Sequence, residues 1–209
     1  MLFTAGQRIV FIGDSITDCG WRTDAEKIGQ GYVRIVRDYL AVKDAAAAPV
    51  VINRGISGNK MPDLEKRWQR DVLDLTPDIV SIYIGINDVW HGLLPGRDGC
   101  DIDSFMTGYR NILRRTRAAL PGVTLILNEP SALWLSDPPD ANDRLGPYVE
   151  VVHTLAKEFH AAAAVPLHGA FEDARRARPD IAWTTDGVHP TSTGHMLIAQ
   201  TWLRANGLT

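Results

Sequence analysis

The chain has 209 residues, of which 45% are hydrophobic and 22% are charged, and its formal net charge is −3. This length and balance predict one globular domain that spans residues 1–209. No basic stripe stands out, which argues against a nucleic-acid partner, and no apolar stretch reaches the roughly 20 residues of a membrane helix.

The two cysteines, Cys19 and Cys100, are too few for a disulfide framework. Residues 1–7 lack the basic and apolar regions that open a secretory signal. We therefore expect a cytoplasmic protein.

Short β-branched runs alternate along the chain with longer stretches of helical spacing. The runs predict strands at residues 8–12, 49–53, 78–84, 123–127 and 165–167. The longer stretches predict helices at residues 29–42, 62–73, 103–120, 141–161 and 191–205. Every predicted strand except the fourth, which contains Thr124, is continuously apolar, as in strands buried on both faces. The alternation predicts an α/β fold with three layers, α/β/α, around a five-stranded parallel sheet of flavodoxin-like strand order.

Polar or small residues follow the first three predicted strands. Ser15 follows the first strand, Gly58 lies in the loop after the second, and Asn87 follows the third. In such sheets, sites form beyond the carboxyl ends of the strands. The loops at residues 93–101 and 129–140 belong to the same end, so we expect them to wall a pocket.

Ser15 and His189 have the settings of a nucleophile and a base. A serine at a strand-to-helix junction can turn its hydroxyl into the crevice, with its own N–H facing any developing negative charge. Asp186 stands three residues before His189, a spacing that lets the carboxylate accept a hydrogen bond from the ring Nδ1. The alternatives are that Asp14 and Ser15 only cap a helix, and that the histidine sits in an exposed turn.

Gly58 and Asn87 offer hydrogen-bond donors without charge. The glycine can present its N–H where no side chain obstructs it, and an amide NH₂ suits an oxyanion hole. The alternatives are an ordinary turn and a helix cap. Capping and turn formation do not explain why four separate loops together supply a nucleophile, a base, a carboxylate and donors.

The segments Gly-Asp-Ser-Ile-Thr, Asn-x-Gly-x-Ser-Gly, Gly-x-Asn-Asp and Asp-Gly-x-His-Pro resemble the four sequence blocks of SGNH (GDSL-like) hydrolases. The resemblance extends from residue 8 to residue 189 and implies the SGNH hydrolase form of the predicted fold. It implies that Ser15 is the nucleophile and that His189 is the base, held by Asp186. It also implies an oxyanion hole formed by the N–H groups of Ser15 and Gly58 and by Asn87 Nδ2. Ser15 is not in a Gly-x-Ser-x-Gly segment, which argues against an α/β-hydrolase.

Residues 11–20, 54–59 and 84–90 are similar to the acetylxylan esterase branch, whose members remove acetyl groups from xylose units. This narrower resemblance implies an acetylated sugar as substrate and a homo-oligomer. A reaction carried by a serine and a histidine needs no cofactor. An aromatic residue is expected directly beside the triad aspartate in that branch. Here two threonines separate Trp183 from Asp186.

Trp90, Trp134 and Trp183 fall in loops near the predicted crevice. Sugar rings stack on indole faces, so Trp90 and Trp183 are candidate substrate-binding residues, with packing in the core or at an interface as the alternative. No second base is evident beside Cys19, which we expect to be a small buried thiol. The other histidines show no metal-ligand spacing, so no metal is predicted.

Two other classes of function stay open. A broad short-acyl esterase, a thioesterase or a lysophospholipase would use the same scaffold and the same triad. A carbohydrate-binding or scaffold protein without catalysis would be free to lose Ser15, Asn87 or His189, yet all three are present.

Overall fold

A five-stranded parallel sheet forms the centre of this computed structural model, which describes residue 4 and residues 6–209. Neighbouring strands lie in the order β2-β1-β3-β4-β5, and each pair is parallel. The predicted sheet and its flavodoxin-like order are therefore confirmed. The strands are β1 (Arg8–Gly13), β2 (Val50–Gly55), β3 (Ile79–Tyr83), β4 (Thr124–Asn128) and β5 (Ala163–Val165).

Helices cover both faces of the sheet. On one face α8 packs against α2 and α7, and on the other α5 packs against α3 and α6, so the expected three layers are present. The helices are α1 (Ser15–Asp18), α2 (Tyr32–Lys43), α3 (Met61–Asp71), α4 (Ile86–Trp90), α5 (Ile102–Ala119), α6 (Gly146–Glu158), α7 (Leu167–Ala177) and α8 (Ser192–Ala205), with 3₁₀ turns at Leu73–Leu75, His91–Leu93 and Asp143–Leu145.

The five helices predicted from apolar spacing are all found, with shifted ends. Helix α7 was not among the five predicted helices. Helices α1 and α4 were not predicted because four or five residues are too short to show a helical period. The fifth strand was predicted about two residues too late. It ends at Val165, and α7 begins at Leu167, directly after Pro166. The alanines that form most of β5 lack the β-branched signal of a strand.

Strand β2 is less buried than its apolar sequence indicates. It lies at one edge of the sheet, where Val50 is 53% exposed and Val51 and Ile52 are half-buried. The expectation that this strand is buried on both faces was wrong, because burial depends on the position of a strand in the sheet. The central strand β3 is buried throughout.

Aromatic side chains fill the space between the layers. On one face Phe11 of β1 packs against Trp202 of α8 and Tyr32 of α2, with ring centroids 5.4 and 5.8 Å apart. On the other face Trp68 of α3 is fully buried, and its indole N–H donates to Thr116 Oγ1 at 2.9 Å. Burial of each large apolar side chain contributes roughly 1.5–3 kcal/mol, so this packing holds the strand ends in fixed relative positions. Over the described part of the chain, no helix combines the length and hydropathy needed to cross a membrane.

Candidate active site

Three side chains from the two ends of the chain meet beyond the carboxyl end of β1. Ser15, the first residue of α1, has its Oγ 3.0 Å from His189 Nε2. His189 Nδ1 lies 2.7 Å from Asp186 Oδ2. The structure thus brings together the serine, histidine and aspartate identified from the sequence. Asp14 caps α1 by accepting from Ile16 N–H, while the Ser15 hydroxyl turns to the histidine instead.

The turn at residues 186–189 holds the carboxylate under the imidazole. Asp186 Oδ1 accepts the N–H groups of Val188 and His189 at 3.0 and 2.7 Å. Partial burial raises the pKa of Asp186, but these bonds and the contact with the His189 ring outweigh it, so the pKa lies below its ordinary value. An ionised carboxylate only accepts, so Nδ1 carries the ring proton and Nε2 is free to accept from the Ser15 hydroxyl.

A second loop, which contains Trp134, packs against this turn through backbone contacts. Trp134 N–H donates to the Gly187 carbonyl at 2.8 Å. Gly187 has φ +87°, and a Cβ at this position would lie 2.2 Å from the Trp134 carbonyl oxygen. The close approach of the two backbones therefore requires glycine between Asp186 and His189.

Two uncharged donors predicted for an oxyanion hole lie in neighbouring segments, the loop after β2 and helix α4. Gly58 has φ +77° and open space where a side chain would be. Asn87 lies in α4, is 1% exposed, and donates one amide hydrogen to the Asn59 carbonyl at 3.1 Å. Its amide has a second hydrogen for a ligand. Gly85, not Asn87, is the residue at the N-cap of α4.

Buried carboxyl groups fix the loop that carries Gly58. Asp18 Oδ2 accepts from Ser57 N–H and Oγ–H at 3.0 and 3.1 Å. Asp88 Oδ1 accepts from Met61 N–H at 2.8 Å. Sequence reasoning did not single out Asp18 or Asp88, although Asp88 stands within the block that contains Asn87 and Asp18 directly follows the block that contains Ser15.

Asp14 and Asp88 carry perturbed carboxyl groups at the base of the site. Burial raises the pKa of each to about 7, and in Asp14 the charge of Asp88 adds to the effect. One oxygen of each carboxyl is buried without a hydrogen-bond partner. Both groups therefore favour the protonated form more strongly than an exposed aspartate does.

The three loop tryptophans have different surroundings. Trp90 is half-buried, and its ring meets the His189 ring edge to face with centroids 5.8 Å apart. The Trp183 indole N–H donates to the Arg178 carbonyl at 3.1 Å. The Trp134 ring packs on α7, between Phe171 and Arg175. Of the three, Trp90 is thus in direct contact with the triad histidine.

Cys19 does have a base beside it, contrary to the sequence-based expectation. Its Sγ lies 3.4 Å from His195 Nε2, and His195 Nδ1 accepts from Tyr32 N–H. Burial raises the pKa of the thiol to about 12 and, with a smaller contribution from His189, lowers the pKa of His195 to about 4. The Cys19 thiol therefore stays protonated and the His195 imidazole stays neutral. A protonated thiol is a poor nucleophile. The adjacency arises only in the fold, because α8 brings His195 onto α1.

No cluster of three or more His, Cys, Asp or Glu side chains suited to a metal ion occurs among the residues that the structure describes. The arrangement around Ser15 has the parts needed for acyl transfer through a covalent serine intermediate.

Comparisons with known proteins identify the family of the chain. The model of the GDSL-like Lipase/Acylhydrolase family matches residues 11–197. The chain is 34% identical, over 99% of its length and 97% of the relative, to an acetylxylan esterase of Geobacillus stearothermophilus.

Solved structures give the same result. The structure of Axe2, the acetylxylan esterase of Geobacillus stearothermophilus, superposes with a TM-score of 0.89 at 32% identity, covering all of this chain and 98% of that one. A structure of a GDSL-like lipase homologue from Parabacteroides merdae has a TM-score of 0.90 at 35% identity, covering 99% and 98%. Three related structures are described as catalytic mutants of Axe2, in which a serine, an aspartate or a histidine is replaced by alanine. The chain is a carboxylic ester hydrolase and belongs to the GDSL-like lipase/acylhydrolase family.

Proposed function

We propose that this protein is a serine esterase that removes acetyl groups from short acetylated xylo-oligosaccharides, as a single catalytic domain over residues 1–209. The main support for the proposal is the hydrogen-bonded triad, in which Ser15 Oγ lies 3.0 Å from His189 Nε2 and His189 Nδ1 lies 2.7 Å from Asp186 Oδ2. The similarity to enzymes described as acetylxylan and acetyl-xylooligosaccharide esterases supports the substrate class.

Each residue of the site has one role in this reaction. Ser15 Oγ attacks the ester carbonyl while His189 Nε2 takes its proton, and Asp186 stabilises the imidazolium. The N–H groups of Ser15 and Gly58 and the amide of Asn87 stabilise the oxyanion. His189 then protonates the departing sugar oxygen, and a water molecule activated by the same histidine releases acetate from Ser15.

Trp90 and Trp183 are the proposed sugar-binding side chains. Support is stronger for Trp90, because its ring touches that of His189, next to the point where the leaving sugar must receive its proton. An indole ring at this place suits stacking of a sugar ring on the leaving-group side. No cofactor or metal takes part in the proposed reaction.

Location and assembly form further parts of the proposal. Free Cys19 and Cys100 thiols suit a reducing compartment, so we propose a cytoplasmic enzyme acting on imported oligosaccharides. The half-buried apolar edge of β2, with exposed Val50, supports a homo-oligomer. Light scattering measures the assembly, and cell fractionation measures the location.

The nucleophile is tested by Ser15→Ala, with the exposed Ser136→Ala as control. We expect Ser15→Ala to fold normally, to lose esterase activity to near background, and to lose labelling by a fluorophosphonate. The Ser136→Ala enzyme should keep both. Retention of more than about a tenth of kcat by Ser15→Ala would remove Ser15 from its role, since loss of a nucleophile lowers kcat by orders of magnitude.

The substrate class is tested by kcat/KM on four compounds: an acetylated xylobiose, acetylated polymeric xylan, an acyl-CoA and a long-chain ester. We expect the acetylated disaccharide to be the best substrate. Preference for acyl-CoA would indicate a thioesterase, and preference for the long-chain ester a lipase or lysophospholipase. Equal efficiency on polymer and disaccharide would contradict the proposed restriction to short, imported oligosaccharides.

A further inference from the structure

A buried arginine on α3 links the loops that surround the proposed oxyanion hole. Arg67 is 9% exposed. Its Nη2 donates to the Gly13 carbonyl at 2.9 Å, its Nη1 to the Arg54 carbonyl at 2.7 Å, and its Nε to Asn59 Oδ1 at 2.8 Å. Its counter-charge is Asp71, 2.9 Å from Nη1. Gly13 is the first residue of the block that contains Ser15, and Arg54 and Asn59 flank the loop that contains Gly58.

Burial of this cation costs free energy, so a contribution to stability does not by itself explain why an arginine lies here. Burial lowers the pKa of Arg67, and the bond with Asp71 only partly offsets that effect. Apolar side chains of similar volume often replace a buried ion pair without loss of stability. The planar guanidinium, however, can donate in several fixed directions at once, which a single ammonium group cannot do.

The contact with Asn59 leads directly to the proposed oxyanion donor. The Asn59 side chain accepts from Arg67, and its backbone carbonyl accepts one amide hydrogen of Asn87 at 3.1 Å. Fixing that first hydrogen fixes the plane of the Asn87 amide, and therefore the direction of the second hydrogen. Because an oxyanion hole stabilises charge through donors that are oriented beforehand, the position of Asn59 matters for the chemical step.

We propose that Arg67 is a positioning residue of the oxyanion hole, acting on Asn87 through Asn59. Arg67 does not touch substrate, and the proposal rests on the proposed function, in which Asn87 stabilises the oxyanion. Its consequence is that loss of the Arg67–Asn59 contact lowers kcat, whereas KM for a small ester changes little.

The first experiment compares Arg67→Lys, Asn59→Leu and Asn59→Asp, with Arg70→Gln as the matched control. Arg70 lies on the same helix and also pairs with Asp71, but its side chain is 71% exposed. kcat is calculated per active site titrated with a fluorophosphonate, so that unfolded protein is not counted. We expect kcat for a small acetate ester to fall about tenfold in Arg67→Lys and Asn59→Leu, with KM within about twofold. Asn59→Asp keeps an acceptor for Nε and should retain most of the rate, as should Arg70→Gln.

The second experiment is a double-mutant cycle between Asn59→Leu and Asn87→Ala. If Asn59 acts by orienting Asn87, the Asn59→Leu change should lower kcat by less than about twofold once the Asn87 amide is gone. A general structural effect would instead lower kcat by the same factor in both backgrounds.

Two results would overturn the proposal: unchanged kcat per active site in Asn59→Leu and Arg67→Lys, or additive effects in the cycle. Asn59→Leu leaves the Arg67–Asp71 pair in place, so the test stands even if Arg67→Lys does not fold. Failure of the proposed function is recognised separately, because Ser15→Ala or Asn87→Ala would then remain active.

Discussion

Gly187→Ala tests whether the contact with Trp134 holds His189 in place. The new Cβ would lie 2.2 Å from the Trp134 carbonyl oxygen. Non-bonded carbon and oxygen atoms stay about 3.3 Å apart, so the two loops must separate by roughly 1 Å. A misplacement of that size can lower the rate about 100-fold, equivalent to about 3 kcal/mol. The φ of +87° adds about 1–2 kcal/mol of backbone strain to the loss of stability.

The assay is kcat per titrated active site together with the free energy of unfolding in urea, with Gly207→Ala as control. Gly207 has φ +66°, but a Cβ there has no neighbour within 4 Å. The control should lose about 1–2 kcal/mol of stability from backbone strain and keep its kcat. If Gly187→Ala also kept kcat within about twofold of the wild-type value, the contact between the Trp134 loop and the Gly187 turn would not be what positions His189.

Three further predictions address the site. Asn87→Ala should lower kcat by about 10²–10³ with KM nearly unchanged, and a change confined to KM would indicate that Asn87 binds substrate. Burial raises the pKa of Asp88 from 3.8 to about 7, so between these pH values the unfolded chain releases a proton that the folded protein keeps, and wild-type stability falls as pH rises. We therefore expect the free energy of unfolding of Asp88→Asn, measured in urea, to rise relative to that of the wild type by up to about 4 kcal/mol between pH 4 and pH 8. A difference that stays constant over this range would contradict the buried, protonated carboxyl. Trp90→Ala should raise KM for an acetylated xylobiose about tenfold but leave KM for a small acetate ester nearly unchanged, and equal changes for both would place Trp90 outside the sugar site.

Local patterns in the sequence were enough to predict the sheet and the neighbourhood of the site. The parallel arrangement of the sheet followed from the alternation of apolar runs and helical stretches, because parallel strands need helical crossovers. The places of Ser15 and Asn87 followed from the rule that sites form at the carboxyl ends of such strands. The Asp186–His189 contact spans only three residues, so its spacing was visible as well.

Edge positions and strand limits were predicted less well. The apolar sequence of β2 indicated burial on both faces, but only its place at the edge of the sheet leaves Val50 exposed. Strand β5 was misplaced because Ala163 and Ala164 have little intrinsic preference for a strand, and pairing with β4 decides where the strand lies.

The sequence by itself determined the fold class and the residue types of the proposed triad and oxyanion hole, because these depend on short-range patterns of polarity and glycine. Only the tertiary structure decided which other residues support them. Arg67 reads as one more charged residue of an amphipathic helix, yet it contacts the Gly13 carbonyl 54 positions away. Cys19 meets His195 across 176 positions. Contacts of this kind arise from the packing of helices on the sheet, and neither periodicity nor spacing along the chain encodes which side chains that packing brings together.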